Sequence, residues 1–289
     1  MGSVELGESE RTAALADREG RAREILRSLD RVAVALSGGV DSAVVLSLAV
    51  DELGAGRVIA VTGISDSIAQ SELTDAKQAA AQAGVEHILL ETREFADPNY
   101  LANPTNRCYY CKTQLYSQME RSLAPRGVFC IVNGTNADDL GDFRPGLTAA
   151  NEHSVRAPLA EAGLTKADVR AMATRLGLQI HDKPASPCLS SRVQYGEEIT
   201  PEKLRMIESA ERMLRELGVR ECRVRHHDNL ARIEVPPEWI ERLAIPQTRA
   251  AIDAEFRKIG YQYVAIDLRG FRSGSMNEVI AFGRRQSGA

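Results

Sequence analysis

The sequence predicts an α/β fold, in which an open parallel sheet with helices on both faces is followed by a smaller α+β domain. Short apolar runs typical of buried strands occupy residues 32–36, 58–63, 87–92 and 128–133. Segments with the residue pattern of helices lie before, between and after these strands, at 10–30, 70–83, 109–123 and 165–176. This alternation of strands and helices favours a parallel sheet covered on both faces.

The pattern changes near residue 193. A long amphipathic helix is predicted over 200–217, with Thr200 as its N-cap and Gly218 as its stop signal. Two strand-like runs, a helix and a final strand follow, at 219–226, 230–235, 247–259 and 261–268. We therefore predict two domains, 1–192 and 193–289, with the active site between them.

The composition is that of an ordinary globular protein, with 44% hydrophobic and 26% charged residues among 289. A net charge of −4 provides no basic field for nucleic acid, so a nucleic-acid partner is not expected. The apolar runs are too short to cross a membrane. The polar, acidic N-terminal segment lacks the features of a signal peptide. We expect a cytoplasmic protein with reduced cysteines and no membrane partner.

The most informative stretch is SGGVDS at residues 37–42, between the first strand and an apolar run typical of a helix. Its glycines let the chain turn sharply and leave no Cβ in the way of a phosphate. The following helix contributes N–H groups that carry about half a positive charge at its N-terminus. Ser37 and Ser42 have hydroxyls to donate to phosphate oxygens, and Asp41 suits a magnesium ion or the loop itself. The alternative is an ordinary strand-turn-helix with a tight turn.

This loop differs from G-x-x-x-x-G-K-[ST] and from G-x-G-x-x-G. It resembles the SGG-x-DS pyrophosphate loop of the PP-loop ATP pyrophosphatases, which cleave ATP between the α and β phosphates and transfer AMP to a substrate oxygen. The resemblance implies that ATP and Mg²⁺ are cofactors, with Asp41 essential for catalysis. The nucleotide-binding residues that it implies are Ser37, Gly38, Gly39, Asp41, Ser42 and, near the adenine, Gly63.

A second polar loop, Gly134–Asp139, follows the fourth predicted strand. Its adjacent carboxylates and the Asn136 side chain are oxygen ligands of the kind that magnesium takes. The same residues suit a helix cap equally well. Because parallel sheets bind ligands beyond the carboxyl ends of their strands, we expect this loop, the SGGVDS loop and the 62–65 turn to meet at one edge.

Three of the five cysteines have a spacing or setting that indicates chemistry. Cys108 and Cys111 form a C-x-x-C pair at the entry of a helix, which suits one zinc ion or an iron–sulfur cluster. Cys188 lies in a Pro- and Ser-rich loop beside an arginine, and a nearby cation favours the reactive thiolate. The other two, Cys130 and Cys222, fit buried or half-buried strand positions.

Six segments, in their order and spacing, resemble the LarE family. They are SGGVDS, RCYYCK, GTNADD, KPASPCLSSR, RVRHHDNLARIEV and DLRGFRSGSMNE, and the similarity spans residues 20–282. LarE proteins look like PP-loop enzymes that adenylate the carboxylates of pyridinium-3,5-biscarboxylic acid mononucleotide and then replace the AMP by sulfur. Their product later holds nickel in the nickel-pincer nucleotide of lactate racemase. The resemblance implies an ATP-dependent, pyrophosphate-releasing sulfurtransferase.

The family has two sources of sulfur. In one form, a single cysteine matching Cys188 donates its own sulfur and becomes dehydroalanine. In the other, three cysteines hold a [4Fe–4S] cluster that carries an added sulfide. Because Cys108 and Cys111 accompany Cys188, the sequence resembles the cluster form. The resemblance therefore implies these three cysteines as metal ligands, a separate sulfide source, and Cys188 as ligand or sulfur donor.

The substrate mononucleotide carries a phosphate. Arg223 and Arg225 share one face of a predicted strand, and guanidinium groups suit bidentate phosphate binding. The alternative is a solvated face with ordinary surface arginines. The similarity to the family favours phosphate binding by these two, with Arg192 and Glu211 in the same pocket. It also implies a homo-oligomer.

Two other classes of protein stay open. One is a different PP-loop enzyme, either a tRNA-thiolating enzyme, which predicts a basic stripe, or an amide-forming ligase, which predicts an ammonia source. The other is a non-catalytic ATP-binding carrier of the pyridinium nucleotide, whose cysteines hold structural zinc. Pyrophosphate release that requires the substrate separates this carrier from the enzymes.

Overall fold

The computed structural model describes residues 8–141 and 145–272, which form two compact units. The first contains the residues up to Ser65 together with Gln70–Arg93 and Cys108–Ser186. The second contains Asp66–Ala69, Glu94–Arg107 and the residues from Pro187. Two short stretches of the N-terminal half therefore group with the C-terminal unit, and the domain boundary between residues 192 and 193 stays a prediction.

The first unit is built on a four-stranded sheet in the order β3-β2-β1-β4. Its strands are β1 (Val32–Ala35), β2 (Val58–Ile64), β3 (Glu86–Glu91) and β4 (Cys130–Val132), all parallel. Val32 pairs with Val58 on one side and with Cys130 on the other. The chain builds outward from β1 to β3 and then returns to the far side of β1 for β4. The topology therefore switches at the carboxyl end of β1, where such sheets bind ligands.

Helices cover both faces of this sheet, as predicted. The helices of the first unit are α1 (Glu8–Arg27), α2 (Val40–Leu53), α3 (Gln70–Ala83), α5 (Arg107–Leu123), α6 (Pro145–Glu152), α7 (Pro158–Glu161) and α8 (Lys166–Arg175). The short helix α4 (Pro98–Leu101) belongs to the second unit. Val32 and Val34 pack with α1, α2 and α8, whereas Ala33 packs with Tyr116 and Met119 of α5. Alternate residues of a strand point to opposite faces, so one apolar run contributes to two cores.

The second unit carries a three-stranded mixed sheet in the order β5-β6-β7. Its remaining elements are α9 (Pro201–Glu216), β5 (Arg223–His227), β6 (Leu230–Glu234), α10 (Pro237–Ala244), α11 (Pro246–Ile259) and β7 (Tyr263–Ile266). Strands β5 and β6 are antiparallel, and β6 and β7 are parallel, joined by a crossover that contains α10 and α11. Leu214, Val224, Ile233 and Phe256 fill its apolar core. The predicted small α+β part of the chain is confirmed.

Capping residues mark several helix ends. Thr165 and Asp168 form a reciprocal capping box at the start of α8, and the Thr200 side chain accepts a hydrogen bond at the start of α9. The strand predicted over 219–226 begins only at Arg223, because a bend at 220–221 precedes it. The turn predicted at 62–65 is instead the end of β2, which continues to Ile64. In the described part of the chain, no helix is both long and apolar enough to cross a membrane.

Candidate functional site

The SGGVDS loop connects β1 to α2 and turns at Gly38. Gly38 has a φ of +80°, and a Cβ there would lie 2.2 Å from the carbonyl oxygen of Glu72, so only glycine fits. Gly39 is the N-cap of α2, and no side chain at this position accepts a hydrogen bond from the first N–H groups of the helix. The helix ladder begins with the bond from Ala43 N–H to the Gly39 carbonyl at 3.2 Å. The N–H groups just ahead of Ala43 have no intrahelical acceptor, an arrangement that suits an anion.

The two serines of the loop brace it from within. Ser42 Oγ donates to the Gly39 carbonyl at 2.9 Å and accepts from Ser37 N–H at 3.2 Å. The two serine hydroxyls lie 3.2 Å apart. These bonds hold the turned shape of the loop, while hydrogen bonds from both hydroxyls to phosphate stay a prediction.

The loop after β4, Gly134–Asp139, packs against the SGGVDS loop. A Cβ at Gly134 would lie 2.5 Å from the Ser42 nitrogen, so the two backbones approach as closely as glycine permits. Asp139 accepts a hydrogen bond from Asn136 N–H at 3.1 Å, and Asp138 accepts one from the first backbone N–H of α8 at 2.8 Å. The sequence leaves magnesium binding and helix capping open for these carboxylates. In the structure both of them cap backbone N–H groups.

Asp41, in the first turn of α2, faces a lysine. Its Oδ2 pairs with Lys166 Nζ at 2.5 Å, and its Oδ1 accepts from Asn136 Nδ2 at 3.3 Å. The side chain is 24% exposed. A partly exposed carboxylate at the carboxyl end of β1 is an oxygen donor of the type that Mg²⁺ takes, and Mg²⁺ often binds through one or two carboxylates together with substrate phosphates. Asp41 therefore fits the predicted ion as a single protein ligand.

Lys183 is a second cation at this loop. Its Nζ donates to the Gly38 carbonyl at 3.0 Å and pairs with Glu72 at 2.8 Å and with Asp75. Sequence reasoning missed both Lys166 and Lys183 as candidate site residues. The one signal for Lys183 is its place at the start of the KPASPCLSSR segment. The two lysines supply positive charge to the loop from elements far along the chain.

Gly63 lies near the end of β2, where a methyl group would meet two side chains. A Cβ there would lie 2.9 Å from Leu115 Cδ1 and 3.0 Å from Thr92 Cγ2, so packing between β2 and its neighbours already accounts for a glycine. The preceding residue, Thr62, donates its hydroxyl to the Leu36 carbonyl at 2.7 Å. Proximity of Gly63 to the adenine stays a prediction.

Cys108 and Cys111 lie in the first turns of α5, three residues apart and therefore on one face of the helix. Cys108 is exposed and Cys111 is half-buried. Across residues 8–141 and 145–272, no three Cys, His, Asp or Glu side chains are grouped as a metal site would require. The predicted [4Fe–4S] cluster on Cys108, Cys111 and Cys188 is therefore not supported, and we derive no step through it.

Cys188 is exposed on a loop of the second unit whose backbone is anchored. It precedes a short 3-10 turn, Leu189–Arg192. The Leu189 N–H donates to the Ser67 carbonyl at 2.8 Å. The Tyr100 and Ser190 hydroxyls, both buried, lie 2.6 Å apart. An accessible thiol is thus presented by a fixed backbone.

Arg192 and Glu211, both predicted to bind substrate, form a buried ion pair. Arg192 Nε and Nη2 donate to the two carboxylate oxygens of Glu211 at 2.8 and 3.1 Å, and the side chains are 1% and 0% exposed. The carboxyl pKa of Glu211 is lowered: although burial opposes ionisation, the charge of Arg192 and its hydrogen bonds outweigh it. Contact of either residue with the substrate stays a prediction.

Arg223 and Arg225 lie two positions apart on β5 and are both buried. Arg225 Nε and Nη2 donate to Glu234 at 3.0 and 2.7 Å. Arg223 lies over the ring of Phe271, 5.1 Å from its centroid. Burial, followed by repulsion from Arg192, lowers the pKa of Arg223 to about 10. Guanidinium groups that repel one another away from water create a position that favours an anion.

Comparison with known proteins relates nearly the whole chain to a named enzyme. The family model for asparagine synthase matches residues 21–112. The chain is 36% identical over 269 residues to the pyridinium-3,5-bisthiocarboxylic acid mononucleotide synthase of Lactiplantibacillus plantarum, covering 93% of this chain and 96% of that protein. It is 46% identical over 258 residues to an uncharacterized protein of Synechocystis sp., covering 89% and 96%. It is 29% identical over 245 residues to one of Methanocaldococcus jannaschii, covering 84% and 91%.

Proposed function

The chain belongs to the LarE family of ATP-using PP-loop enzymes, and we propose that it transfers sulfur to the carboxylates of pyridinium-3,5-biscarboxylic acid mononucleotide. The observation that carries the proposal is the similarity to the bisthiocarboxylic acid mononucleotide synthase, which extends over 93% of this chain. The product is then the thiocarboxylate precursor of the nickel-pincer nucleotide.

The first step in this proposal is activation of a carboxylate by ATP. The α2 N-terminus and Lys183 bind the phosphates, and Asp41 holds Mg²⁺, which supplies positive charge to the phosphates as they separate. A carboxylate oxygen of the substrate attacks the α-phosphorus, pyrophosphate leaves, and an acyl-adenylate forms. The support is a glycine turn beside two lysines at the carboxyl end of β1.

The second step is delivery of sulfur by Cys188. Its thiolate attacks the acyl carbon and AMP leaves, which gives a thioester. Loss of the Cys188 α-proton then breaks the Cβ–S bond, with the electron pair leaving on sulfur. The substrate gains a thiocarboxylate, and the protein keeps dehydroalanine at position 188. The support is an exposed thiol on an anchored loop, and the step needs no oxidant or reductant.

The substrate phosphate is assigned to Arg223, because the neighbouring Arg225 already donates from Nε, Nη1 and Nη2 to Glu234 and Ser191. Arg223 lies on β5, where burial and then repulsion from Arg192 lower its pKa to about 10. An anion relieves that repulsion, and a phosphate accepts two parallel N–H bonds from one guanidinium group. The substrate is therefore held through its phosphate by the small mixed sheet.

The test is one turnover experiment with two measurements. Protein purified without air is mixed with ATP, Mg²⁺ and the mononucleotide, while pyrophosphate release and intact mass are followed. We expect pyrophosphate only when the mononucleotide is present, and a loss of one H₂S from the protein that maps to Cys188. Cys188→Ala is expected to abolish thiocarboxylate formation, whereas the matched control Cys130→Ala, at a half-buried thiol of β4, retains it.

Two results contradict the proposal. Absence of substrate-dependent pyrophosphate release would exclude this enzyme activity and favour an ATP-binding carrier. Continued turnover with unchanged mass, together with iron and acid-labile sulfide at cluster ratio, would exclude Cys188 as a consumed donor. In that case a Cys108→Ala/Cys111→Ala variant would lose activity, which our proposal does not expect.

A further inference from the structure

Arg192 holds the loop that carries Cys188. Its Nη1 donates to the Cys188 carbonyl and to Ser191 Oγ, both at 3.0 Å, and also to the Pro187 carbonyl. Pro187, Cys188 itself and Ser191 are thereby tied to one guanidinium group. Since the side chain is 1% exposed, water does not compete for these bonds.

Glu211 fixes the position of Arg192 in turn. The carboxylate binds Nε and Nη2 of Arg192 and is itself held by two further donors. Val224 N–H of β5 donates to Oε1 at 3.2 Å, and Arg215 Nη2 donates to Oε2 at 2.9 Å. The loop is therefore linked through one ion pair to both α9 and β5.

We propose that Arg192 is a positioning residue for sulfur transfer, which aims Cys188 through the loop backbone, and that Glu211 is its anchor. The inference rests on the proposed role of Cys188 as the sulfur donor. Nε, Nη1 and Nη2 of Arg192 all donate to protein acceptors, so it acts through the loop rather than on the substrate.

The physical reason is the geometry that the attack needs. A thiolate must meet the acyl carbon at near-contact distance and in line with its orbitals, and rate falls steeply when the nucleophile moves freely. An exposed side chain on an untethered loop would sample many positions. A guanidinium group that binds the carbonyls on both sides of the Cys188 Cα removes that freedom before substrate arrives.

The test uses Arg192→Gln/Glu211→Gln, which removes both charges of the buried pair together and, with them, the bonds from Arg192 to the loop. The matched control, Arg212→Gln, removes an exposed arginine of α9 whose ion pair is with Glu216 on the same helix. The readouts are backbone hydrogen exchange of residues 188–193, and kcat and KM for the mononucleotide.

For the double variant we expect faster exchange over residues 188–193 and a kcat lowered by about tenfold or more, because the three bonds from Arg192 to the loop are lost. Its KM for the mononucleotide should stay within about twofold, because no substrate contact is lost. Arg212→Gln should leave exchange in this segment and kcat within about twofold of the native protein, because its pair with Glu216 is exposed.

Two outcomes overturn the assignment. A raised KM with unchanged exchange would make Arg192 a substrate contact, as the sequence predicts. Faster exchange with unchanged kcat would mean that the loop need not be held. If the double variant does not fold, Arg192→Lys replaces it, since lysine keeps the charge but cannot bind the loop and Glu211 as a fork. Hydrogen exchange reports on the loop even if the native protein makes no thiocarboxylate, so failure of the proposed function is separately visible.

Discussion

Lys183 Nζ lies 3.0 Å from the carbonyl oxygen of Gly38, so a cation 145 positions along the chain supports the turn of the SGGVDS loop. The carboxylates of Glu72 and Asp75 on α3 face the same nitrogen. These acids hold the lysine beside the glycine turn, where the proposed pyrophosphate needs positive charge. A phosphate is a strong acceptor for an ammonium group and competes with them.

We therefore expect Lys183→Met to lower kcat/KM for ATP by about tenfold to a hundredfold, since a hydrogen bond to a charged group contributes about 1.5–3 kcal/mol. The measurement is pyrophosphate release at varied ATP. Lys77→Met removes an exposed charge from the same helix, α3, and should have little effect. An unchanged kcat/KM in Lys183→Met would restrict this lysine to a structural role at the turn.

Asp41→Asn keeps the side-chain shape and removes the charge that faces Lys166. We expect pyrophosphate release to fall by about a hundredfold or more, because metal-assisted charge stabilisation contributes several kcal/mol. Circular dichroism should show an intact fold. The control is Asp51→Asn, at the exposed far end of α2. Full activity of Asp41→Asn at ordinary Mg²⁺ concentrations would refute both the magnesium assignment and the role of this carboxylate.

Arg223→Gln tests the phosphate assignment. We expect KM for the mononucleotide to rise by about tenfold with kcat within about threefold, the pattern of a lost ground-state contact. Arg220→Gln, at an exposed position three residues earlier, is the control. Repeating both measurements with the dephosphorylated substrate isolates the contact: if Arg223→Gln is equally harmful there, Arg223 does not bind the phosphate.

Two glycine substitutions should change stability in opposite directions. Gly38→Ala places a methyl group 2.2 Å from the Glu72 carbonyl in a left-handed conformation, which should lower the free energy of unfolding by about 1–3 kcal/mol. Gly20→Ala, within α1 and with open space around it, should raise that free energy by about 0.5–1 kcal/mol. Urea titration measures both. Equal stability of the two variants would contradict the close packing at Gly38.

Buried His226 makes stability depend on pH. Its Nδ1 lies 3.2 Å from the Tyr261 hydroxyl and its Nε2 lies 3.4 Å from a Glu197 oxygen. Burial lowers the imidazole pKa below 6.5, although the charge of Glu197 opposes the shift. Below pH 6.5 the unfolded chain binds a proton that the folded chain resists. The free energy of unfolding therefore decreases as the pH is lowered through that range.

We expect the melting temperature of the native protein to fall more steeply than that of His226→Gln between about pH 7 and about pH 5. His181→Gln, at an exposed histidine, is the control and should follow the native slope. Parallel slopes for the native protein and His226→Gln would mean that other groups dominate this pH range.

A structural feature can be predicted from the sequence when the residues that form it are close together in the chain. The path from β1 through SGGVDS to α2 was predictable because an apolar run, two glycines and a helical period are contiguous. The pairing of Lys166 with Asp41 spans 125 positions and has no local pattern. The short helices α4, α6, α7 and α10, of four or eight residues, fall below the window that periodicity needs.

The cysteines show the same limit. The C-x-x-C spacing predicts two thiols on one helix face, and α5 has them there. A third ligand depends on tertiary structure, which spacing does not encode, and the described residues form no such group. Similarly, the family resemblance predicted Arg192 in the substrate pocket, but its burial against Glu211 is a property of the fold. The homo-oligomer and the cytoplasmic location stay predictions.

Gly134 lies so near the Ser42 amide that no side chain can separate the two loops. With the Ser42 bond to Gly39 inside the turn, this contact leaves the anion-binding backbone little conformational freedom. A receptor that is rigid before its ligand arrives loses little entropy on binding. For the proposed nucleotide site, recognition therefore depends on a shape that is set in advance, and we expect a ligand whose phosphate chain does not match the turn to bind poorly.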